Sequence, residues 1–324
     1  MSTRMELRNE HLCVEIVPAE GGRISSLRCL NSGLEFLLQS TRQETRPYLQ
    51  KPGREASFAQ GAVAGIEECL PTVACCQVDG QTIPDHGDFW QLPWEVLSSS
   101  PEHVHEAADG FSQQLRYEKT VRLRNAALWL ESRITNTGVT EACFLYATHP
   151  LLAVEPGDRI VLPPECRSLT LHESRRERLG RMGQRVGWPD AQSAHGEVKL
   201  DVLDGPAART AEMLYTDRLQ EGWCGLYRDR RKQGIALRFE TDRLPYLGLW
   251  ICCGGWPEDG EAPQQYAFAP EPATAPCGSL EQAMRRGAAV TLKRGESFSF
   301  SVTFRISEPG IEFDSFRRFA AGVA

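Results

Sequence analysis

Leu115-Arg116-Tyr117-Glu118-Lys119-Thr120-Val121-Arg122-Leu123, the turn Arg124-Asn125-Ala126-Ala127, and Leu128-Trp129-Leu130-Glu131-Ser132-Arg133-Ile134 form the stretch that decides the fold. Leu115, Tyr117, Val121 and Leu123 share one parity, and Leu128, Leu130, Ser132 and Ile134 resume the alternation after the turn. A period of two places alternate side chains on opposite faces, so two long, half-buried antiparallel strands are predicted. Upstream, Leu12, Val14 and Ile16 alternate with Cys13, Glu15 and Val17. Pro18-Ala19-Glu20-Gly21-Gly22 then turns the chain before Ile24 and Leu27, which predicts a hairpin. Downstream, strand-like runs occupy 223–227, 234–240 and 246–252. Phe298, Phe300, Val302, Phe304 and Ile306 alternate around Gly295-Glu296 and predict a final hairpin with residues 289–292. Residues 153–197 interrupt the pattern, and residues 39–60 read as a long polar excursion of the kind that is functional or mobile. Asp314 and Ser315 introduce Phe316 and Phe319 at helical spacing with Phe313, and Gly322 closes a short C-terminal helix. Elsewhere there is no strand–helix alternation and no internal repeat. The chain reads as an all-β, large antiparallel β-sandwich with a short C-terminal helix, one domain over residues 1–324.

Composition narrows the function classes. With 41% hydrophobic and 24% charged residues, the chain of 324 residues is able to bury a large core. The net charge of −7 argues against nucleic acid as a partner and favours a neutral or cationic ligand. Eleven cysteines, an odd number without a repeating spacing, read as small buried hydrophobes in a reducing compartment rather than a disulfide framework. No Cys-x-x-Cys or regular Cys/His quartet points to a metal, and none is expected. The first residues lack an apolar leader and no apolar run reaches membrane length, so a cytoplasmic, soluble protein with no membrane partner is expected.

Three short segments carry chemistry. Ile83-Pro84-Asp85-His86-Gly87-Asp88-Phe89-Trp90 sets a histidine in a turn; Ala147-Thr148-His149-Pro150 delivers another at a strand mouth; Ala269-Pro270-Glu271-Pro272 delivers a carboxylate where two prolines stop the ladder. Two imidazoles and a carboxylate on backbone held by Pro or Gly are the parts of a general acid–base site. Asp85 and His86 read as sugar ligands or, as a minority reading, a metal fragment. Trp90 or Trp94 reads as a stacking surface for a pyranose, or as core. Glu67-Glu68 reads as a hydroxyl-binding pair or a solvated acidic turn, and Asp242 as a supporting carboxylate or a turn former. The basic run 172–181, with acids interleaved, reads as solvated surface, and His103 and His105 as part of a polar connection.

In order along the chain, Gly21-Gly22-Arg23-Ile24-Ser25-Ser26-Leu27, His86-Gly87, Thr148-His149-Pro150, Glu271-Pro272 and Gly295-Glu296-Ser297 together resemble the galactose mutarotase (aldose 1-epimerase) superfamily, from about Leu12 to about Ile306. The resemblance implies a mutarotase-like supersandwich. It implies an isomerase that interconverts α and β anomers by acid–base ring opening, without a cofactor, on a small-molecule sugar, as a monomer or homodimer. It also implies that Glu271 is the base, His149 the acid, His86 a ligand near the ring oxygen, and Arg23 a neighbour of the sugar. At Glu67-Glu68 the chain departs from the family pattern, where an arginine and an asparagine are expected. A sugar-binding module without turnover, and a glycoside hydrolase or lyase with a second carboxylate among Glu67, Glu68 and Asp85, are the alternative readings.

Overall fold

A computed structural model of the chain describes residues 4–40, 52–257 and 264–323. Two antiparallel sheets dominate it. The first has ten strands, from Met5–Arg8 at one edge through Leu12–Val17, Arg23–Cys29, Gly65–Cys69, Ala147–Ala153, Tyr266–Ala273, Tyr246–Cys253, Thr210–Tyr215 and Ser168–Ser174 to Arg185–Gly187. The second has eight, and its centre is the predicted pair Leu115–Arg124 and Ala127–Asn136, in register from Arg124↔Ala127 to Leu115↔Asn136. Leu115, Tyr117, Val121, Leu128, Leu130 and Ile134 are buried and meet Ile66, Leu152, Phe268, Leu249 and Leu214 of the first sheet in one core. The opposite parity of the first sheet's central strands turns away from that core, and the candidate site lies there.

Several expectations are met element by element. The opening hairpin spans Leu12–Val17 and Arg23–Cys29. The C-terminal helix spans Phe313–Ala321 and ends on Gly322 at φ 73°, with buried Phe316 packed against Tyr227. Others are corrected. Residues 153–197 do not leave the β pattern: Arg159–Val161, Ser168–Ser174, Arg185–Gly187 and Asp190–Ser193 are strands. Three of them have only three or four residues, too short for a periodic signal. The final hairpin does not form either. Val290–Leu292 pairs with Ala142–Phe144, while Ser297–Ile306 joins the eight-stranded sheet between Ala127–Asn136 and Gln233–Phe239. The turn is tied by Glu296 Oε2, which accepts from Lys293 N at 2.8 Å, and by Gly295 N, which donates to Asn136 O at 2.9 Å, so it passes the chain between sheets. His103 lies on a strand, His103–Asp109. Of the 39–60 excursion, residues 41–51 lie outside the described residues, and Phe58–Gln60 forms a 3₁₀ turn.

His149 and Glu271 are not at strand ends. Each lies inside a strand, and the two strands are central neighbours in the ten-stranded sheet. Pro150, Pro270 and Pro272 do not stop the ladder on their outer sides, where Pro150 pairs with Ile66, Pro270 with Leu249 and Pro272 with Leu247. What they remove is donors from the seam between the two strands. Pairing there is found at Ala147↔Ala273, Leu152↔Phe268 and Ala153↔Ala267, and His149 and Glu271 lie in the interval between these pairs. The flanking register sets Pro150 opposite Pro270 and Thr148 opposite Pro272 across the seam.

Candidate active site

The register builds the site as one row across the sheet. Glu67 pairs with His149, Gly248 with Glu271, and Tyr215 with Gly248. The pairs that flank the proline seam place His149 opposite Glu271, and Ile24↔Ile66 places Arg23 opposite Glu67. Directly opposed residues share a face. The row therefore reads Arg23, Glu67, His149, Glu271, Gly248, Tyr215, all on the face away from the core. Its centre opens into a cleft of about 210 Å³ lined by Asp85, His86, His149, Tyr215, Trp250 and Glu271 among others. That is below the ~300–1,000 Å³ of drug-sized pockets, in the range of a single sugar ring.

His149 Nε2 lies 3.6 Å from Glu271 Oε1, and the two residues are 5% and 2% exposed. Burial pushes the Glu271 carboxyl up to about 8. Burial also holds His149 well below the usual imidazole range, with the charge of His86 adding in the same direction. Both groups are driven toward their neutral forms because a charge in so dry a place is costly. The two shifts run in the direction of a protonated Glu271 carboxyl beside a neutral His149 imidazole. His149 Nδ1 and Glu271 Oε2 are buried without a hydrogen-bond partner among the described residues. Such atoms cost free energy unless a ligand or water satisfies them.

His86 reaches the cleft from the other side. It sits at φ 59° and is followed by Gly87 at φ 71°, where a Cβ would stand 2.0 Å from Leu70 O, so only glycine lets the turn close on that strand. His86 N donates to Val73 O at 2.6 Å and Trp90 Nε1 to Asp85 O at 3.0 Å, which pins the turn. The His86 ring stacks on Phe58 at 3.6 Å and 6°, and lies 5.1 Å edge-on from His149. Asp85 Oδ1 is 3.1 Å from His86 Nδ1 at the cleft's more exposed end.

Of the nine residues singled out from sequence, Glu271, His149, His86 and Asp85 come together, while the other five are not among those lining the cleft. Trp90 is wholly buried and works as the anchor of the His86 turn, and Trp94 is core. Glu68, one residue from Glu67, has the opposite parity and points between the sheets. There it accepts from Tyr146 OH at 2.6 Å and lies 3.3 Å from Lys119 Nζ, itself 3.6 Å from Glu106. Glu67 stays on the site face but is enclosed beside Arg23 at 4.0 Å, and burial raises it to about 8 against that pull. Arg23 is turned onto Glu20 at 2.7 Å. Asp242 is exposed in the turn before Tyr246–Cys253.

Solved structures resemble the chain over nearly its whole length. A protein from Klebsiella pneumoniae provisionally assigned as an aldose 1-epimerase aligns at TM-score 0.71 and 15% identity, over 96% of this chain and 81% of its own. A galactose mutarotase-like protein from Lactobacillus casei aligns at 0.66 and 16%, over 94% and 100%. Another from Clostridium acetobutylicum aligns at 0.62 and 14%, over 94% and 98%. The fold is galactose mutarotase-like. A family model described as a domain of unknown function (DUF4432) matches residues 175–306, and no curated protein matches the sequence. No helix among the described residues is long and apolar enough to cross a membrane.

The cleft contains residues that reading the sequence missed. Strand Ser168–Ser174 slips register between Leu171 and Glu173, so His172 is a bulge residue, and the bulge re-aims its ring into the cleft, edge-on to Tyr215 at 5.6 Å. It is not on a solvated surface run. Trp250 and Trp256 supply the aromatic wall instead of Trp90. Gly248 clears the floor beside Glu271: a Cβ there would lie 3.3 Å from Glu271 Cβ, 3.1 Å from Tyr215 and 2.8 Å from Met213. The alternation in 246–253, with Leu247, Leu249 and Ile251 inward and Tyr246, Gly248 and Trp250 outward, was the available signal for Gly248 and Trp250. The donors able to hold a metal here are Cys69, His86 and His149, whose ligand atoms lie within 4.8 Å of one another.

Proposed function

We propose that the protein is an aldose 1-epimerase-like isomerase that interconverts the α and β anomers of a free sugar. The observation that carries this reading is the buried Glu271–His149 contact at 3.6 Å, with an unpartnered polar atom on each residue, inside an aromatic-walled cleft. Ring opening needs one proton given to the ring oxygen and one taken from the anomeric hydroxyl, and closure on the other face reverses both. The pair holds a single exchangeable proton. Hydroxyls of an entering sugar give the charged forms the hydrogen bonds they lack, and such bonds favour those forms. The proton then passes from Glu271 to His149, leaving a carboxylate to take the anomeric proton and an imidazolium to give one to the ring oxygen. When the aldehyde has turned and the ring recloses, the pair regains its starting state. Trp250 and Trp256 offer the C–H face of the sugar an apolar wall, and His86, His172 and Asp85 are available to its hydroxyls. No redox step and no group transfer is involved.

The test is anomer exchange, followed by polarimetry or exchange NMR over a panel of free aldoses, for the wild type and Glu271→Gln. Exchange faster than buffer on at least one aldose is expected, with a fall of ~10²–10⁴ in the variant. Exchange that survives the substitution unchanged removes Glu271 from the mechanism. Release of reducing ends from an oligosaccharide, without anomer exchange, replaces the proposal with a hydrolase.

A further inference from the structure

We propose that Cys69, His86 and His149 form a binding site for a thiophilic divalent cation of the zinc type. The site goes beyond the epimerase reading, although it shares His149 with it. Cys69 ends strand Gly65–Cys69, pairs with Ala147 and has the parity of Glu67, so its side chain lies on the cleft face, two residues along from His149 on the neighbouring strand. It is wholly buried there. Its sulfur, one nitrogen of His86 and one of His149 all lie within 4.8 Å of one another. Tetrahedral zinc, with bonds of ~2.3 Å to sulfur and ~2.0–2.1 Å to nitrogen, needs donors roughly 3.3–3.6 Å apart. The set must contract by up to about 1.5 Å, and the side chain able to move is that of His86, partly exposed on a turn, rather than the two held in central strands.

Three observations point the site toward a cation. His149 Nδ1 and Glu271 Oε2 are buried with no hydrogen-bond partner among the described residues, and His86 Nδ1, also buried, has the Asp85 carboxylate beside it at 3.1 Å. Glu271 Oε1 stands 3.6 Å from His149, so a carboxylate borders the fourth position. One thiolate and one carboxylate balance a dication, which a site this dry requires. The donor chemistry selects within the cations: one sulfur and two imidazoles suit zinc, cobalt and copper, whereas magnesium and calcium require oxygen. A cation held by His149 takes up the imidazole that the proposed proton transfer uses, so the metal-loaded and the epimerising forms exclude one another.

The test uses the full chain stripped by a chelator and titrated with Co²⁺, then with Zn²⁺. One Co²⁺ per chain is expected, with the ligand-field bands of a tetrahedral ion and a sulfur-to-cobalt charge-transfer band that Zn²⁺ abolishes. In Cys69→Ser the charge-transfer band should vanish and Zn²⁺ affinity fall by ~100-fold or more, beyond the ~10–100-fold that loss of an outer partner costs. Cys75→Ser and Cys143→Ser, the two cysteines with exposed surface, should keep the band. If Cys69→Ser does not fold, His86→Ala carries the test, and its ligand-field bands and affinity must both change. Absence of the charge-transfer band in the wild type, or equal Zn²⁺ affinity in wild type and variants, overturns the proposal. These readouts are of the metal and not of turnover, so their failure leaves the epimerase reading standing, and failure of anomer exchange leaves this site standing.

Discussion

Glu67 and Glu68 are neighbours in one strand, yet they belong to two different buried charge clusters, one on each face of the same sheet. On the core side, Glu68 meets Lys119, Glu106, Tyr146 and the Tyr117–Ser132 hydroxyl pair, and Lys119 Nζ also donates to Gly22 O at 2.9 Å. A cation sits among the carboxylates there, and burial lifts Glu106 only to about 7 against its pull. On the cleft side, His149 and Glu271 face each other, and each keeps a polar atom without a hydrogen-bond partner among the described residues. Lys119 bridges the core carboxylates from one sheet to the other, although both Glu106 carboxylate oxygens also lack a hydrogen-bond partner among the described residues. The cleft pair is left unsatisfied, which is the state of a group that awaits a ligand.

That contrast breaks cleanly under substitution. Glu271→Gln should cost the ~10²–10⁴ in anomer exchange already stated while leaving the unfolding midpoint near that of the wild type, because it removes a buried carboxyl that no lysine or arginine among the described residues pairs with. Lys119→Met should do the reverse. It leaves Glu68 and Glu106 buried without their cation, a cost of ~3–5 kcal/mol by denaturant titration. If Lys119→Met is as stable as wild type, the core cluster is not the structural one. The pH profile sharpens the cleft side. Glu271 raised to about 8 keeps the shared proton below that pH and loses it above, so kcat/KM should be level through neutrality and fall ~10-fold per unit above about pH 8. A limb near the ordinary carboxylate range would mean that Glu271 is solvated when it works. Gly248→Ala places a methyl against Glu271 and Tyr215, and KM should rise ~10-fold with little change in fold. At the small end, Asp242→Asn, exposed and outside the cleft, should change neither exchange nor stability measurably.

How much of this the chain's own letters disclose differs between the two clusters. The parity that places Leu115, Tyr117, Val121 and Leu123 inside places Lys119 inside as well, and Glu106 shares the parity of Val104 and Ala108. Buried charges were therefore legible to a reader who followed the alternation past its apolar members. Trp90 failed as a stacking surface because an aromatic in a turn has the same local signal whether it anchors the turn from below or walls a pocket. His172 was hidden for another reason: a bulge breaks the period of two at the residue it re-aims.

Alternation along single strands, prolines and glycines at particular places, and the motif order are properties of the letters themselves. They determined an all-β sandwich, its long central strands, its closing helix, and the residue types of an acid–base site, because side-chain direction in a strand is local geometry. Which strand lies beside which, and in what register, depends on contacts far apart in sequence. Only the folded sheet set His149 opposite Glu271 across a seam of prolines, turned Glu67 and Glu68 to opposite faces of it, and brought Cys69 and His86 alongside, because register is decided by the packing of whole sheets.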